Sequence, residues 1–184
     1  MIAAIASLDT SVLTHLYALR TFPATLAFIW VSEFGAPLTV IGLAVCAALL
    51  MRHQWQRALG ILIAVGGSGV AMEILKHVIA RPRPPHTFQA YLETGYSFPS
   101  GHTTGAMALY GFLWWLAWKH MAPGRTRTLV LALLPILIVA VGFSRLYLGV
   151  HYLSDVLGGF ALGAVFIWIG IAITRWLEQR APRS

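Results

Sequence analysis

Long apolar stretches, separated by short segments that carry the polar and charged residues, run through most of this chain. Five of these stretches contain no charged residue, and with their flanks each reaches the roughly 17–25 residues of a helix that crosses a bilayer. They cover residues 34–51, 58–72, 103–118, 128–144 and 156–174. Because backbone groups in lipid need hydrogen-bond partners within the chain, we predict that these stretches are helices. The pattern predicts an all-α, polytopic integral-membrane bundle of five transmembrane helices, with residues 1–184 forming a single membrane domain.

The first twenty residues follow a different pattern, because polar side chains interrupt the apolar ones. Apolar residues recur there at helical spacing along one stripe, which indicates an amphipathic helix lying in the membrane interface. The stripe consists of Leu8, Val12, Leu13, Leu16 and Leu19. Asp9 or Thr10 is the candidate N-cap of this helix. A signal peptide is disfavoured because no basic region precedes Asp9. Pro23 and Pro37 are expected to break the chain at or before the entry of the first span.

Composition supports a membrane protein. Of the 184 residues, 58% are apolar and 10% are charged, and the mean hydropathy is +0.74. Soluble globular domains carry about 25% charged residues, so a water-soluble monomer is excluded. Intrinsic disorder is excluded because it requires low hydrophobicity. Cys46 is the single cysteine, which excludes a disulfide scaffold, and we interpret it as a core or lipid-facing residue.

The net charge of +7 is explained by topology rather than by nucleic-acid binding. Basic residues concentrate in two short loops and the C-terminal tail, which are therefore predicted to be cytoplasmic. They are Arg52, Arg57, Lys119, Arg125, Arg127, Arg175, Arg180 and Arg183. The opposite ends of the helices mix both signs. They carry Arg20, Lys76, Arg81, Arg83 and Arg145 together with Asp9, Glu33, Glu73, Glu93 and Asp155. Five spans then place the N-terminus outside and the C-terminus in the cytoplasm.

Three clusters of polar residues lie at the predicted outer ends of the helices. The first pairs Lys76 with Arg83, which are seven positions apart and can share one helix face over about two turns. Pro84 follows Arg83 and helps to end the helix. By itself, this cluster is also typical of basic side chains that anchor a helix end at the interface.

The second cluster is Phe98-Pro99-Ser100-Gly101-His102, directly before the third predicted span. Ser100 can cap that helix, Gly101 lets a ligand approach the backbone, and free N–H groups at a helix N-terminus attract anions. Taken alone, the same residues also fit an ordinary helix start with a half-exposed histidine.

The third cluster lies across the turn between the last two spans and contains Ser144, Arg145, His151 and Asp155. His151 and Asp155 are spaced i,i+4, so on a helix the carboxylate reaches an imidazole nitrogen and fixes its tautomer. Alone, this cluster also fits a capped and solvated turn.

Together, the clusters place three cations, a helix N-terminus, two histidines and a carboxylate on one side of the membrane. Two histidines and a carboxylate can hold zinc, but three nearby positive charges disfavour a divalent cation. We therefore expect no metal and no cofactor. The same charges suit a phosphate group, whose oxygens need several charge-assisted donors. One histidine can then attack phosphorus while the other protonates the leaving group. This combination indicates metal-free phosphoryl transfer at a membrane surface.

The three segments resemble the signature motifs of the type 2 phosphatidic acid phosphatase family, also called the lipid phosphate phosphatase and vanadium haloperoxidase superfamily. The matching motifs are Lys76-x6-Arg83-Pro84, Pro99-Ser100-Gly101-His102 and Ser144-Arg145-x5-His151-x3-Asp155. The chain is similar to its bacterial phosphatidylglycerophosphatase B-like and undecaprenyl-diphosphate phosphatases. This chain departs from the family in one respect. Many membrane members have six spans, whereas five spans and a short N-terminal helix are predicted here.

The resemblance implies a role for each motif residue. His151 would be the nucleophile, Asp155 its orienting partner and His102 the acid–base group. Phosphate would be bound by Lys76, Arg83, Ser100, Gly101 and Arg145, with Pro84 and Ser144 in support. The implied activity is hydrolysis of a lipid phosphate or diphosphate on the extracytoplasmic face, with undecaprenyl diphosphate slightly favoured over phosphatidate or phosphatidylglycerol phosphate. The expected partners are the lipid substrate and the bilayer, not nucleic acid.

Three other functions stay open at this point: a lipid phosphotransferase with the same intermediate, a vanadate-dependent haloperoxidase, and a non-catalytic lipid-binding or transport protein. Residues that border the motifs are given ordinary roles. Glu73 is expected to pair with Lys76. Arg81, His77 and His86 are expected to border the site without belonging to its motifs. Tyr91, Phe98 and Tyr147 are candidates for shaping the lipid entrance.

Overall fold

The computed structural model describes residues 2–180, and eight α-helices make up most of this part of the chain. They are α1 Ile2–Ala18, α2 Phe22–Glu33, α3 Pro37–Leu50, α4 Trp55–Leu62, α5 Ser68–Ile79, α6 Gly101–His120, α7 Arg125–Tyr147 and α8 Leu153–Arg180. A π-helical turn, Ile63–Gly67, joins α4 to α5 without a break. No strand occurs among the described residues, so the prediction of an all-α protein is confirmed.

Four segments are long and apolar enough to cross a bilayer: Phe22–Leu50, Arg52–Ile79, Arg125–Tyr147 and Leu153–Arg180. The first begins well before the predicted residue 34. Pro23 does not break the chain there, because it occupies the first turn of α2, where a proline needs no hydrogen-bond partner. Pro37 likewise starts α3 after a short turn.

The remaining predicted span is α6, which has 20 residues. At 1.5 Å per residue it is about 30 Å long, enough for a bilayer core. It is less apolar than the other four segments because it lies in the middle of the bundle, packed against α7 and α8. Its buried side chains include Leu109 and Phe112, which have no solvent exposure, and also polar Thr103 and Thr104.

Close packing of α8 against α6 aligns the beginnings of the two helices. Gly159 and Gly163 are one helical turn apart on the face of α8 that meets α6. A Cβ atom on Gly159 would lie 2.8 Å from the Ser100 carbonyl oxygen, and one on Gly163 would lie 2.9 Å from that of Thr104. Only glycine permits this approach, as in other membrane helix pairs with small residues at the interface.

Helix α1 packs against α7 and α8, and its inward face matches the predicted stripe only in part. Asp9 and Leu13 are buried, whereas Leu8 and Leu19 are 54% and 59% exposed. Asp9 is not an N-cap, because the helix begins seven residues earlier at Ile2. The helix thus turns its acidic residue toward the protein; its place in the membrane interface stays a prediction.

Basic residues predicted to be cytoplasmic meet at one end of the bundle. The Glu178 carboxylate lies 3.0 Å from Arg57 Nε and 2.9 Å from Lys119 Nζ. The residues of the three polar clusters lie at the other ends of the same helices. The structure therefore separates the two groups of residues as the sequence predicted. The predicted cytoplasmic C-terminus includes residues 181–184, which are outside the described part.

Candidate active site

The site forms where three segments meet: the end of α5, the beginning of α6 and the turn between α7 and α8. Gly149 makes this turn possible, because its φ of +69° is left-handed and a Cβ atom there would collide with the Phe88 carbonyl. The turn is tied to the loop of residues 81–99 by the Ala90 N–H, which donates to the Leu148 carbonyl at 2.9 Å. The loop and the turn therefore hold their functional side chains in fixed relative positions.

His151 lies in this turn and is 1% exposed. Its Nε2 atom is 3.2 Å from Nη1 of Arg83. Because a guanidinium only donates, Nε2 accepts, and the proton of the neutral ring is on Nδ1. The Nδ1 atom lies 3.5 Å from both the Asp155 carboxylate and the Ser97 hydroxyl. The ring thus directs the lone pair of Nε2 toward the cationic side of the site.

The charge of His151 is set by its surroundings. Burial lowers its pKa to about 4; Asp155 opposes this shift, whereas the charges of Arg145 and Arg83 add to it. His151 is therefore neutral near pH 7, which is the form that a nucleophilic imidazole needs.

Asp155 is fully buried, and its carboxylate is engaged on every side. Oδ1 accepts from Arg81 Nη1 at 2.6 Å, and Oδ2 accepts from the Tyr152 N–H at 2.8 Å and from the Ser97 hydroxyl. Arg81, expected to border the site outside its motifs, contacts Asp155 directly. It neutralises the buried carboxylate, which would otherwise be costly to place there.

Arg81 also connects the site to α1. Its Nη2 atom donates to Asp9 Oδ2 at 2.7 Å, and Asp9 Oδ1 accepts the Ser154 N–H at 2.9 Å. Asp9 therefore caps α8 from another helix. Sequence reasoning missed this role, although a signal was present: Asp9 is the single acidic residue of α1, and a charge on an apolar helix requires a partner.

Replacing Asp9 with alanine is expected to lower the free energy of unfolding by about 2 kcal/mol, because α8 loses its cap and Arg81 loses one of two carboxylates. Thermal unfolding in detergent micelles measures this effect. Glu33→Ala is the matched control, since Glu33 is exposed and makes no ion pair within residues 2–180. Equal unfolding temperatures for Asp9→Ala and the wild type would contradict this role.

Arg145 extends from the end of α7 with no solvent exposure. Its Nη1 atom donates to the Ser32 hydroxyl and to the Tyr91 hydroxyl, both at 2.5 Å. Its Nη2 atom donates to the Glu93 carboxylate. The Nε atom is buried and has no hydrogen-bond partner within residues 2–180. Arg145 thus retains one donor for a further acceptor.

Backbone carbonyl groups of the loop of residues 81–99 hold the side chains of both Arg83 and Lys76. Arg83 Nε donates to the Thr94 carbonyl at 3.1 Å, and its Nη2 lies 3.1 Å from Glu93 Oε1. Lys76 Nζ donates to the Tyr96 carbonyl at 2.9 Å. The predicted pair between Glu73 and Lys76 is wrong.

Glu73 instead lies next to His77, one turn further along α5. The His77 Nδ1 and Glu73 Oε2 atoms are 3.8 Å apart. Both side chains are mostly exposed, so this contact lies outside the cationic site.

At the beginning of α6, the backbone N–H groups open to a phosphate differ from the expected ones of Ser100 and Gly101. The Ser100 N–H donates to the Asp155 carbonyl at 3.0 Å, so it is not free for a ligand. As first residues of a helix, Gly101 and His102 keep N–H groups that no helical carbonyl accepts. The His102 ring makes no hydrogen bond with the described residues and lies within electrostatic range of Arg145, Glu93 and His151.

The two supporting motif residues act within their own segments. The Ser144 hydroxyl donates to the Val141 carbonyl at 2.7 Å inside α7. The Pro84 carbonyl accepts from Gln89 Nε2 at 2.7 Å, which closes the start of the loop. Both therefore stabilise the frame of the site.

Residues 57–179 match the family model of the PAP2 superfamily. The chain belongs to this superfamily. The PAP2 match includes all three polar clusters, and α1 to α3 precede it.

Similar proteins extend the PAP2 comparison. The chain is 33% identical over 139 residues to phosphatidylglycerophosphatase B of Bacillus subtilis, covering 75% of this chain and 66% of that protein. It is 34% identical to decaprenylphosphoryl-5-phosphoribose phosphatase of Mycobacterium tuberculosis, covering 61% of this chain and 57% of that protein. Both matches span less than two thirds of the relatives' own lengths.

A solved structure matches over a larger part. The crystal structure of a transmembrane PAP2-type phosphatidylglycerolphosphate phosphatase from Bacillus subtilis has a TM-score of 0.84 and 27% identity to this chain, covering 98% of this chain and 90% of that one. The likeness therefore extends to α1–α3, and this PAP2 chain shares the integral-membrane helical fold.

Proposed function

We propose that the chain is a membrane lipid phosphatase that works through a phosphohistidine intermediate. The observation that carries the proposal is the state of His151: a buried, neutral imidazole whose Nε2 lone pair lies beside Arg83 while Nδ1 faces Asp155. A phosphoryl group bound by the nearby cations would stand in front of this nitrogen.

The phosphate would be held by cationic side chains and a helix N-terminus. Arg83 and Arg145 both point to the same carboxylate, so they converge on one place. Arg145 Nε and the N–H groups of Gly101 and His102, which have no hydrogen-bond partner among the described residues, would supply further donors. Charges on the equatorial oxygens of the transition state are stabilised by such fixed donors, usually the largest catalytic effect.

The proposed reaction has two steps. In the first, Nε2 of His151 forms a bond to phosphorus while the bond from phosphorus to the lipid oxygen breaks, and His102 gives a proton to that oxygen. In the second, His102 takes a proton from water, the water oxygen bonds to phosphorus, and the bond to Nε2 breaks. Asp155 stays ionised, faces the Nδ1–H group throughout and keeps the ring oriented. Both its oxygens are engaged by other groups, which makes it a poor metal ligand.

An apolar cleft beside the site supports a lipid substrate. It has a volume of about 280 Å³, and its walls come from α3, the π-helical turn, α5 and the first turns of α6. The lining includes Val40, Ile41, Val65, Met72 and Gly101. Because Gly101 borders both the cleft and the phosphate donors, a lipid tail in the cleft would place its phosphate in the site.

The substrate is proposed to be recognised by its terminal phosphate and tail, with undecaprenyl diphosphate slightly favoured over phosphatidylglycerol phosphate and phosphatidate. The loop of residues 81–99 is short and already uses its polar groups to bind Arg83 and Lys76, which leaves little to bind a large head group. The relatives' names support both a polyprenyl and a glycerolipid substrate.

Phosphate release from purified protein in mixed micelles tests this proposal. Lipid phosphates and diphosphates are expected to be hydrolysed in the presence of a chelator, and a water-soluble sugar phosphate is expected to be hydrolysed at least about a hundredfold less efficiently, because it lacks tail binding energy. Vanadate is expected to inhibit. Equal efficiency for the sugar phosphate, or strict dependence on an added divalent metal, would overturn the proposal.

The site is proposed to face the extracytoplasmic side, since Glu178 and its basic partners mark the opposite end. In a variant with Cys46 replaced by serine, Thr94→Cys is expected to react with an impermeant thiol reagent in intact cells, and Thr126→Cys is expected to stay protected. Both threonines are exposed and therefore form a matched pair. The reverse labelling pattern would contradict the positive-inside assignment.

A further inference from the structure

The place between the two arginines of the site is taken by an internal carboxylate. Glu93 reaches from the loop of residues 81–99, and its Oε1 lies 3.1 Å from Arg83 Nη2. Its Oε2 accepts a hydrogen bond from Arg145 Nη2. Three residues thus form an anion held between two cations, in the position that the proposed function gives to phosphate.

Glu93 is charged in this position. Burial alone would raise its pKa, but the charges of Arg145 and Arg83 outweigh that effect and hold the pKa below the usual range for a glutamate. The side chain remains 20% exposed, so it lies at the rim of the site rather than beneath it. Rotation of the side chain toward solvent would release both arginines without movement of the helices.

The Glu93 carboxylate competes with lipid phosphates for Arg83 and Arg145, and it competes differently with a phosphodiester than with a terminal phosphate. A phosphodiester head group carries one negative charge and two free oxygens, as a carboxylate does, and it has no advantage over a group that is already in place. A terminal phosphate carries about two negative charges and three free oxygens, and it makes more charge-assisted hydrogen bonds with the same arginines. The bilayer surrounds the site with phosphodiester lipids in large excess over any terminal phosphate.

We propose that Glu93 is a specificity-determining residue that keeps phosphodiester lipids out of the pair formed by Arg83 and Arg145 and yields to a terminal phosphate. The inference rests on the proposed function for the identity of the substrate. In this proposal, the anion that a lipid phosphate must displace is a side chain of the protein, the Glu93 carboxylate. The tether makes Glu93 effective, because a linked group competes at a high local concentration.

The test is the affinity of the site for anions after Glu93→Gln, which keeps the size of the side chain and removes its charge. Phosphatidylglycerol in mixed micelles is expected to inhibit the variant at least about tenfold more strongly than the wild type. Inorganic phosphate, measured by its shift of the thermal unfolding temperature, is expected to bind about tenfold more tightly. The second readout needs no turnover, so it tests Glu93 even if no lipid phosphate proves to be a substrate.

Glu73→Gln is the matched control. It removes the same charge near the same end of the bundle, but Glu73 is mostly exposed and contacts neither arginine. This control is expected to leave both affinities unchanged. Glu93→Asp is the second variant: it keeps the charge but is too short to bridge both arginines, so a smaller shift in the same direction is expected. Unchanged affinities for phosphatidylglycerol and phosphate in Glu93→Gln, or equal shifts in Glu73→Gln, would overturn the proposal.

Discussion

Replacing His151 is expected to reduce phosphate release by about four orders of magnitude or more, because in the proposed mechanism this residue supplies the atom that bonds to phosphorus. The imidazole is 1% exposed, so His151→Ala opens a cavity and removes the acceptor of Arg83. The sequence pattern suggests a solvated helix end at this position, and the structure shows a buried one. His151→Asn is therefore the better variant, since it fills more of the space and keeps a polar group beside Asp155.

Single-turnover kinetics with a radiolabelled lipid phosphate measure the effect, and trapping of labelled protein reports the intermediate. His86→Ala is the control, because His86 is exposed and lies on the same loop as Arg83. The acid limb of kcat/KM that belongs to His151 is expected near pH 4 in the wild type, where protonation removes the lone pair. Full phosphate release by a folded His151→Asn protein would exclude this nucleophile.

The extent of the helices was largely predictable because lipid imposes a simple requirement. Every backbone group in the bilayer needs an internal partner, so an uncharged apolar run is a helix whatever its neighbours are. The start of the first span was not predictable in this way. A proline such as Pro23 breaks a helix in its interior but is favoured in its first turn. Apolar composition alone does not tell these two positions apart.

The candidate site shows a similar division. His151 and Asp155 are only four positions apart, so their side chains meet at the beginning of α8 although His151 lies in the preceding turn. The contacts that support them are long-range. Arg81 is 72 positions from Asp9, and Arg145 is 52 positions from Glu93. No local pattern encodes such pairs.

The sequence does indicate which charged residues need an oppositely charged partner. Asp9 in an apolar helix and Glu93 in a loop between cationic motifs are charges that a buried setting does not tolerate alone. The sequence identifies such groups as candidates for ion pairs. The packing of α1 and of the loop of residues 81–99 decides which cation each one meets.

Replacing His102 with alanine is expected to lower kcat/KM for an alkyl lipid phosphate by about a hundredfold to ten-thousandfold, the usual contribution of a general acid. The loss is expected to be smallest for an aryl phosphate, whose leaving oxygen needs no proton. His102 fits this role because its ring, on the first turn of α6, makes no hydrogen bond with the described residues and is within electrostatic range of His151.

The two steps of the reaction separate a catalytic loss from a structural one. With an aryl phosphate, His102→Ala is expected to form the phosphohistidine at close to the wild-type rate and then to accumulate it, because no base activates the water that attacks it. A rapid burst of aryl alcohol followed by slow turnover would show this directly. His120→Ala, at the far end of the same helix, is the control and is expected to show neither a burst nor a loss. A collapsed site predicts something different, namely an equal loss for aryl and alkyl substrates with no labelled intermediate, and that result would remove His102 from the proposed mechanism.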